Sequence, residues 1–481
     1  MKSVISLLAL LMLLGTGGIG QTFQDFLNQV YSSPDSLRIS IVNTYVAAHP
    51  VSPILEADSV AHFYYRGAAA NVSVPGDANS WNPNSFLMSR IPPTDFWYYS
   101  DTFEPDARLD YKYVLNGSTW ILDPRNPRTV SGGFGPNSEI QMPAYLPAPE
   151  ISFYPGIPHG SLSDTVMYSP SLGNSRTIRV YTPPFYSASL DSFPVVVVHD
   201  GLEYVSLARA NNVLDYLSQE QRIVPVIAIF VPPVNRTEEY AGSQQNQFTS
   251  FIINELMPVI DQRYRTRRDP TQRALLGASN GGNISLWIGY THPEHFGNIA
   301  AQSSNIQTSI SSGFQSSSLL PLKLYLDLGT YDIPQLIPLV RNFVPILQNK
   351  GYPFRYIEYH EGHSWGNWRA HIDNALEFFF PGAATSVRIE QEHPRTHVLL
   401  ENYPNPFNAG TTIRYYVPVV SHTRLVVFDY LGRHVTTLVN RELEAGTYSL
   451  SWQPDRHASG VYFYRLEASG NVETRQMLFM K

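Results

Sequence analysis

The chain has 481 residues, enough for several domains; 43% are hydrophobic and 15% charged, so sizeable cores can form and wholesale disorder is excluded. The net charge of −7 comes without any Lys/Arg run, which argues against a nucleic-acid partner. Cysteine is absent, so disulfides, thiolate metal sites and cysteine catalysis are ruled out together.

In chain order, Lys2, the apolar run Val4–Leu14 and the small-residue stretch Gly15–Gly20 form a charged start, a hydrophobic stretch and a cleavage point. Residues 1–20 are therefore expected to be a signal peptide, since the apolar run is too short to span a bilayer. No later stretch is long enough to span one, so no membrane span is expected after its removal.

Residues 21–54 read as a short helical lead-in. Residues 55–130 carry short alternating runs, among them His62–Tyr65, Phe96–Tyr99 and Leu109–Val114, separated by Pro, Gly, Asn and Asp; this predicts a β-sandwich. The Gly/Pro/Ser-rich stretch 131–156 reads as a linker.

From 157 to 382 apolar strands alternate with helical segments, which predicts a parallel sheet with helical crossovers. Strands are expected at Pro194–Val198, Pro225–Val231, Arg273–Gly277, Leu322–Leu328 and Phe354–Tyr359. Helices are expected at Phe248–Tyr264, Asn280–Thr291, Pro334–Lys350 and Trp368–Phe379. A second linker, 383–398, precedes short β-runs over 399–481 that predict another small sandwich. The fold class is thus an α/β-hydrolase domain flanked by two small β-sandwich domains.

Gly277-Ala278-Ser279-Asn280-Gly281 is a G-x-S-x-G motif at a predicted strand-to-helix junction. This spacing suits a serine on a sharp strand-to-helix turn, where glycines on both sides relieve crowding. A serine hydroxyl needs a base to take its proton and an acid to orient that base. In this fold they follow in the order acid, then histidine, each past a strand end. Asp332, after Gly329-Thr330-Tyr331, takes the acid position, and His363, after Gly362, offers the base. Asp327 is the rival acid, disfavoured because it lies inside an apolar strand. His292, His360 and His371 read as ordinary surface or packed residues among 14 histidines. The oxyanion would take the backbone amide of Asn280 and one from the turn His199-Asp200-Gly201-Leu202, either Gly201 or Leu202. No H-E-x-x-H or comparable cluster indicates a metal, and no cofactor is called for.

These residues resemble the esterase family that contains esterase D, feruloyl and acetylxylan esterases and enterochelin esterase, carbohydrate esterase family 1 among them. The likeness runs from Ile157 to Pro381 and includes Arg179-Val180-Tyr181-Thr182-Pro183-Pro184, His199-Asp200-Gly201, Arg236-Thr237-Glu238-Glu239-Tyr240, the serine turn and Gly362-His363-Ser364-Trp365. It implies Ser279, Asp332 and His363 as the triad, and adds Asp200, Arg236 and Trp365 as substrate-binding candidates. Many relatives carry Asp where Ser364 stands, a departure that bears on packing more than on mechanism.

The stretch Val72–Trp81, with Leu109–Val114 and Asp123–Pro127, resembles domains of carbohydrate-binding module family 48 that precede some of these esterases. Trp81 or Trp97 would then stack on sugar rings; the favoured reading makes both core aromatics that brace the catalytic pocket. The tail, with Glu401–Asn408, Val427–Arg433 and Ser459–Tyr464, resembles the sorting domain of the type IX secretion system. That implies this machinery as a partner and a secreted or cell-surface location.

Together these readings predict a secreted serine carboxylic-ester hydrolase that removes feruloyl or acetyl groups from polysaccharide. The alternatives are a siderophore-trilactone esterase, an acyltransferase, and a glycan-binding surface protein without activity.

Overall fold

Val195–Val198 are four consecutive valines, all buried, the composition of a strand covered on both faces. In the computed structural model this run is an interior strand of an eleven-stranded sheet. The structure describes residues 21–133, 135–383, 398–399, 402, 405–417, 421–443, 446–454, 457–468 and 471–480. The expected signal peptide, nearly all of the expected second linker, and Glu401, Tyr403 and Pro404 of the tail motif lie outside these residues.

Numbered in chain order, the strands of the large sheet are β1 Arg108–Tyr111, β2 Thr129–Gly132, β3 Gly135–Gln141, β4 Ser161–Ser169, β5 Asn174–Thr182, β6 Val195–His199, β7 Ile227–Val231, β8 Arg273–Ala278, β9 Asn298–Gln302, β10 Lys323–Tyr331 and β11 Phe354–Gly362. Their spatial order is β4-β5-β7-β6-β8-β9-β10-β11-β1-β3-β2. From β7 to β11 all neighbours are parallel, whereas β4, β5 and β7 pair antiparallel.

Alternate residues of each strand face opposite layers. Val195, Val197, Leu275 and Leu326 enter one core, and Val196, Val198, Leu276 and Tyr325 the other. Helices such as Asn280–Thr291 and Ile337–Lys350 connect the strands. The predicted helix over 248–264 is three consecutive pieces, Gln245–Ser250, a π-helical Phe251–Leu256 and Met257–Arg263. The predicted closing helix is two, Trp365–Ala370 and Ile372–Phe379.

The chain divides into two compact units, Met1–Thr385 and Ser386–Lys481. The front segment therefore shares a unit with the hydrolase segment, and the stretch expected as a linker holds half of β2 and all of β3. These strands continue the large sheet through β1, which meets β11 at Arg108 and Glu361. The remaining front strands form a four-stranded and a three-stranded sheet around Phe63, Val72, Trp97, Tyr111 and Tyr113. The lead-in forms two helices, Phe23–Ser32 and Asp35–Ala48, whose Phe26, Val42 and Tyr45 pack with Tyr64 and Phe96.

Within the second unit, a three-stranded and a four-stranded antiparallel sheet enclose a core that includes Ile413, Leu425, Val427 and Tyr464.

Candidate active site

The turn from β8 into the helix Asn280–Thr291 is too tight for ordinary residues. Ser279 sits at φ 58° and ψ −121°, a conformation that costs a residue with a Cβ and recurs where strain serves chemistry. A Cβ on Gly277 would lie 2.4 Å from the backbone of Gly281, so strand and helix approach each other only because Gly277 lacks one. Ser279 N–H donates to the Gln302 carbonyl at 2.8 Å, and its own carbonyl accepts from the amides of Asn283 and Asn305 at 3.1 and 3.2 Å. The strained residue is thus fixed from several sides.

β10 bulges between Gly329 and Tyr331, and Asp332 follows directly. Its Oδ1 accepts from the Ile333 amide at 2.7 Å and lies 2.7 Å from His363 Nδ1. Asp332 is buried, and its Oδ2 makes no hydrogen bond. His363 follows Gly362 at the end of β11, with its ring edge-on to Trp368 at 4.9 Å. Ser279, Asp332 and His363 line one cavity of about 990 Å³. Asp327 is buried within β10, and its Oδ2 accepts from Gln302 Nε2 at 2.9 Å. Burial pushes its carboxyl up to about 7, against the opposing effect of His371. His292, His360 and His371 pair instead with Glu294, Asp106 and Glu361.

Asp200 and Arg236 line the same cavity and bind each other through two contacts of 2.8 Å. Burial raises the Asp200 carboxyl and Arg236 counters it. Arg236 Nη2 also donates to the Ala278 carbonyl at 3.2 Å, just before the serine. Trp365 lines the cavity and stands edge-on to Tyr204 and Trp368.

Gly201 and Leu202 open the helix Gly201–Ser206, and Asn280 opens the helix behind the serine. Amides in a first helical turn have no partner within the helix. None of these three residues is among those lining the cavity, although Asp200 and Glu203 are. A Cβ on Gly201 would meet the backbone of Phe230 and Val231 at 2.3 Å, so β7 demands glycine there.

The front segment completes the wall with Trp81, Trp120, Lys112, Asn137, Asp77 and Asp110. Trp81 stacks on Trp120 with ring centres 6.5 Å apart, and its Nε1 donates to Asp77 at 3.0 Å. Trp97, by contrast, is buried in the front core. Trp120, Lys112 and Asn137 escaped the sequence reading because nothing local distinguishes them from ordinary sandwich residues. Among the described residues, no group of three or more His, Asp or Glu could hold a metal ion, and no helix is long and apolar enough to cross a membrane.

Residues 169–379 match the family model described as "Putative esterase", and residues 401–480 match the "Secretion system C-terminal sorting domain". The uncharacterized protein YjcH of Bacillus subtilis is 27% identical over 46% of this chain and 97% of its own length. The endo-1,4-beta-xylanase/feruloyl esterase of Xylanibacter ruminicola is 26% identical over 32% of this chain, which spans only 23% of that protein. The ferric enterobactin esterase of Salmonella typhimurium superposes with a TM-score of 0.61 at 18% identity, covering 70% of this chain and 98% of that one. The Shigella flexneri enterobactin esterase gives 0.57 at 19% identity, covering 68% and 94%. The fold is that of α/β-hydrolase esterases. The chain carries an esterase domain followed by a secretion sorting domain, so it is a secreted or cell-surface carboxylic-ester hydrolase.

Proposed function

We propose that the protein hydrolyses carboxylic esters through an acyl-enzyme, with Ser279 as nucleophile, His363 as general base and Asp332 as the orienting acid. The observation that carries this reading is that the strained serine and the hydrogen-bonded His363–Asp332 pair open into the same cavity. With Nδ1–H donated to Asp332, His363 keeps Nε2 free to accept the Ser279 proton. The serine oxygen then attacks the ester carbonyl. The resulting oxyanion is assigned to the amide of Asn280 and that of Gly201 or Leu202. Collapse expels the alcohol with the proton from His363, and water repeats the sequence to release the acid.

The substrate class proposed is a feruloyl or acetyl ester on polysaccharide. The Trp81–Trp120 pair supports it, because stacked rings suit a planar acyl group or a sugar face, and export suits an insoluble glycan. Arg236 and Trp365 are assigned to substrate contact, with Asp200 holding Arg236. The test is hydrolysis of p-nitrophenyl and feruloyl-oligosaccharide esters by wild type beside Ser279→Ala. Loss of turnover in the variant is expected, and full turnover would end the assignment.

A second reading is a lactone esterase for a catechol siderophore. It is favoured by a fold likeness that covers 94–98% of the Shigella and Salmonella enterobactin esterase chains. Relative kcat/KM on a catechol trilactone and a feruloylated oligosaccharide separates the two.

A further inference from the structure

The front segment reaches beyond the cavity wall, to the loop that carries His363. Arg108 of β1 is wholly buried. Its Nη1 donates to Ser364 Oγ at 3.1 Å and lies 3.9 Å from Glu361 Oε2, so it approaches the loop on both sides of His363. On the front side, Nη2 lies 2.6 Å from Asp110 Oδ1 and Nε 3.2 Å from Glu139 Oε1. Glu139 is shared with Arg369 at 3.7 Å, and Glu361 with His371 at 2.8 Å. Three buried carboxylates therefore pair with the Arg108 guanidinium by charge, while the hydrogen bond from Nη1 goes to Ser364 Oγ; a planar guanidinium spans all four groups at once, as a compact ammonium could not.

The loop rests on front residues with no spare volume. A Cβ on Gly366 would lie 2.0 Å from Arg108 Cζ, and one on Gly362 would lie 2.0 Å from Asp77 Cγ. Asp77 is held in turn by the Asp110 amide at 2.8 Å and by Trp81 Nε1. Within the loop, Ser364 N–H and Asn367 Nδ2 both donate to the Gly362 carbonyl, at 3.0 and 2.9 Å. Ser364 Oγ also caps the helix Trp365–Ala370.

We propose that Arg108 is a positioning residue for hydrolysis: from the front segment it holds Ser364 and Glu361 so that His363 meets Asp332 in register. This rests on the assignment of His363 and Asp332 made above. The front segment is then a working part of the active site, because the base depends on it for its placement.

The test uses full-length protein and a p-nitrophenyl ester, comparing wild type, Ser279→Ala, Arg108→Lys, Ser364→Ala and the Arg108→Lys/Ser364→Ala double variant. Kinetics are read beside thermal melting. Arg108→Lys keeps a cation among the carboxylates but cannot reach all of them. A misplaced base lowers kcat by about ten- to a hundred-fold while KM stays within about two-fold. Ser364→Ala lowers kcat in the same way, and the double variant loses little beyond Arg108→Lys, since both changes cut one linkage. Wild-type kcat in Arg108→Lys, or losses that multiply in the double variant, would overturn the proposal. If Arg108→Lys does not fold, Ser364→Ala decides alone: reduced kcat at constant KM supports the proposal, and unchanged kcat overturns it. Full turnover by Ser279→Ala would remove the site assignment and this proposal with it. An inactive Ser279→Ala beside a wild-type-like Arg108→Lys removes this proposal alone.

Discussion

His363 Nδ1 lies 2.7 Å from Asp332 Oδ1, while Asp327, within the strand β10 that Asp332 follows, accepts from Gln302 Nε2 instead. Two carboxylates of similar sequence setting therefore have different partners. Asp332→Asn preserves shape but replaces the acceptor that fixes the histidine tautomer, so kcat/KM should fall by about 10³–10⁴. Asp327, with its carboxyl pushed up to about 7, is substantially protonated near neutral pH. An amide replaces it with little change in shape or charge, and Asp327→Asn should hold kcat/KM within about three-fold. Steady-state kinetics on one ester rank the two variants, and the reverse ranking would transfer the acid role to Asp327.

Trp81 and Trp120 form the front wall of the cavity, and Trp120 is 44% exposed. If they stack on the acyl group or a sugar, Trp120→Ala should raise KM for a feruloylated oligosaccharide by about five- to ten-fold, the worth of an aromatic contact of about 1 kcal/mol. Turnover of p-nitrophenyl acetate should stay unchanged. Equal effects on both esters would show that Trp120 only braces the cavity.

The parts of the site governed by local chemistry were legible in the sequence. Glycines around Ser279 answer to a close approach within the turn itself, and the helix Asn280–Thr291 begins where the motif requires. Asp332 and His363 could be placed because each directly follows a strand. What was hidden depends on distant partners. The large sheet continues from the hydrolase segment into the front segment through the pairing of Arg108 with Glu361, and no local periodicity encodes it. β3 lies in a Gly/Pro-rich stretch, and its buried Ser138 and Glu139 find partners in Asp123 and Arg108. Trp81 and Trp97 look equivalent as residues; only the packed structure puts one in the cavity wall and the other in the core. β9, Asn-Ile-Ala-Ala-Gln, has small and polar side chains where β6 and β7, of the same length, are rich in Val and Ile, so it does not announce itself.

Arg236 joins the buried Asp200 to the carbonyl of Ala278. Arg236→Met would leave that carboxylate without its cation, and breaking a buried pair from one side is costly. Because the arginine is itself 39% exposed, the expected loss is at the low end, about 2–3 kcal/mol. Adding Asp200→Asn should recover much of it, since an amide is buried more cheaply than a lone charge. Thermal melts of the two single variants and the double variant measure the coupling. Additive losses would mean that the pair does not act as a unit.

His199 supplies the last expectation, a pH dependence of stability. Its ring is fully buried at the end of β6, neither nitrogen has a hydrogen-bond partner, and burial lowers its pKa from 6.5 to about 3. Between these two values the unfolded chain holds a proton on this residue that the folded chain does not. Stability contributed by the neutral ring is therefore fully present above about pH 6.5 and is lost as the pH falls towards about 3. Between pH 7.5 and pH 5 this group alone should cost about 2 kcal/mol. His199→Leu removes the titration while keeping an apolar side chain among Tyr240 and Phe248, so its unfolding free energy should fall less over that range, by about that amount. Denaturant unfolding of wild type and variant at the two pH values tests this. Parallel losses would mean that His199 gains no proton on unfolding, and that its ring is not held neutral by burial.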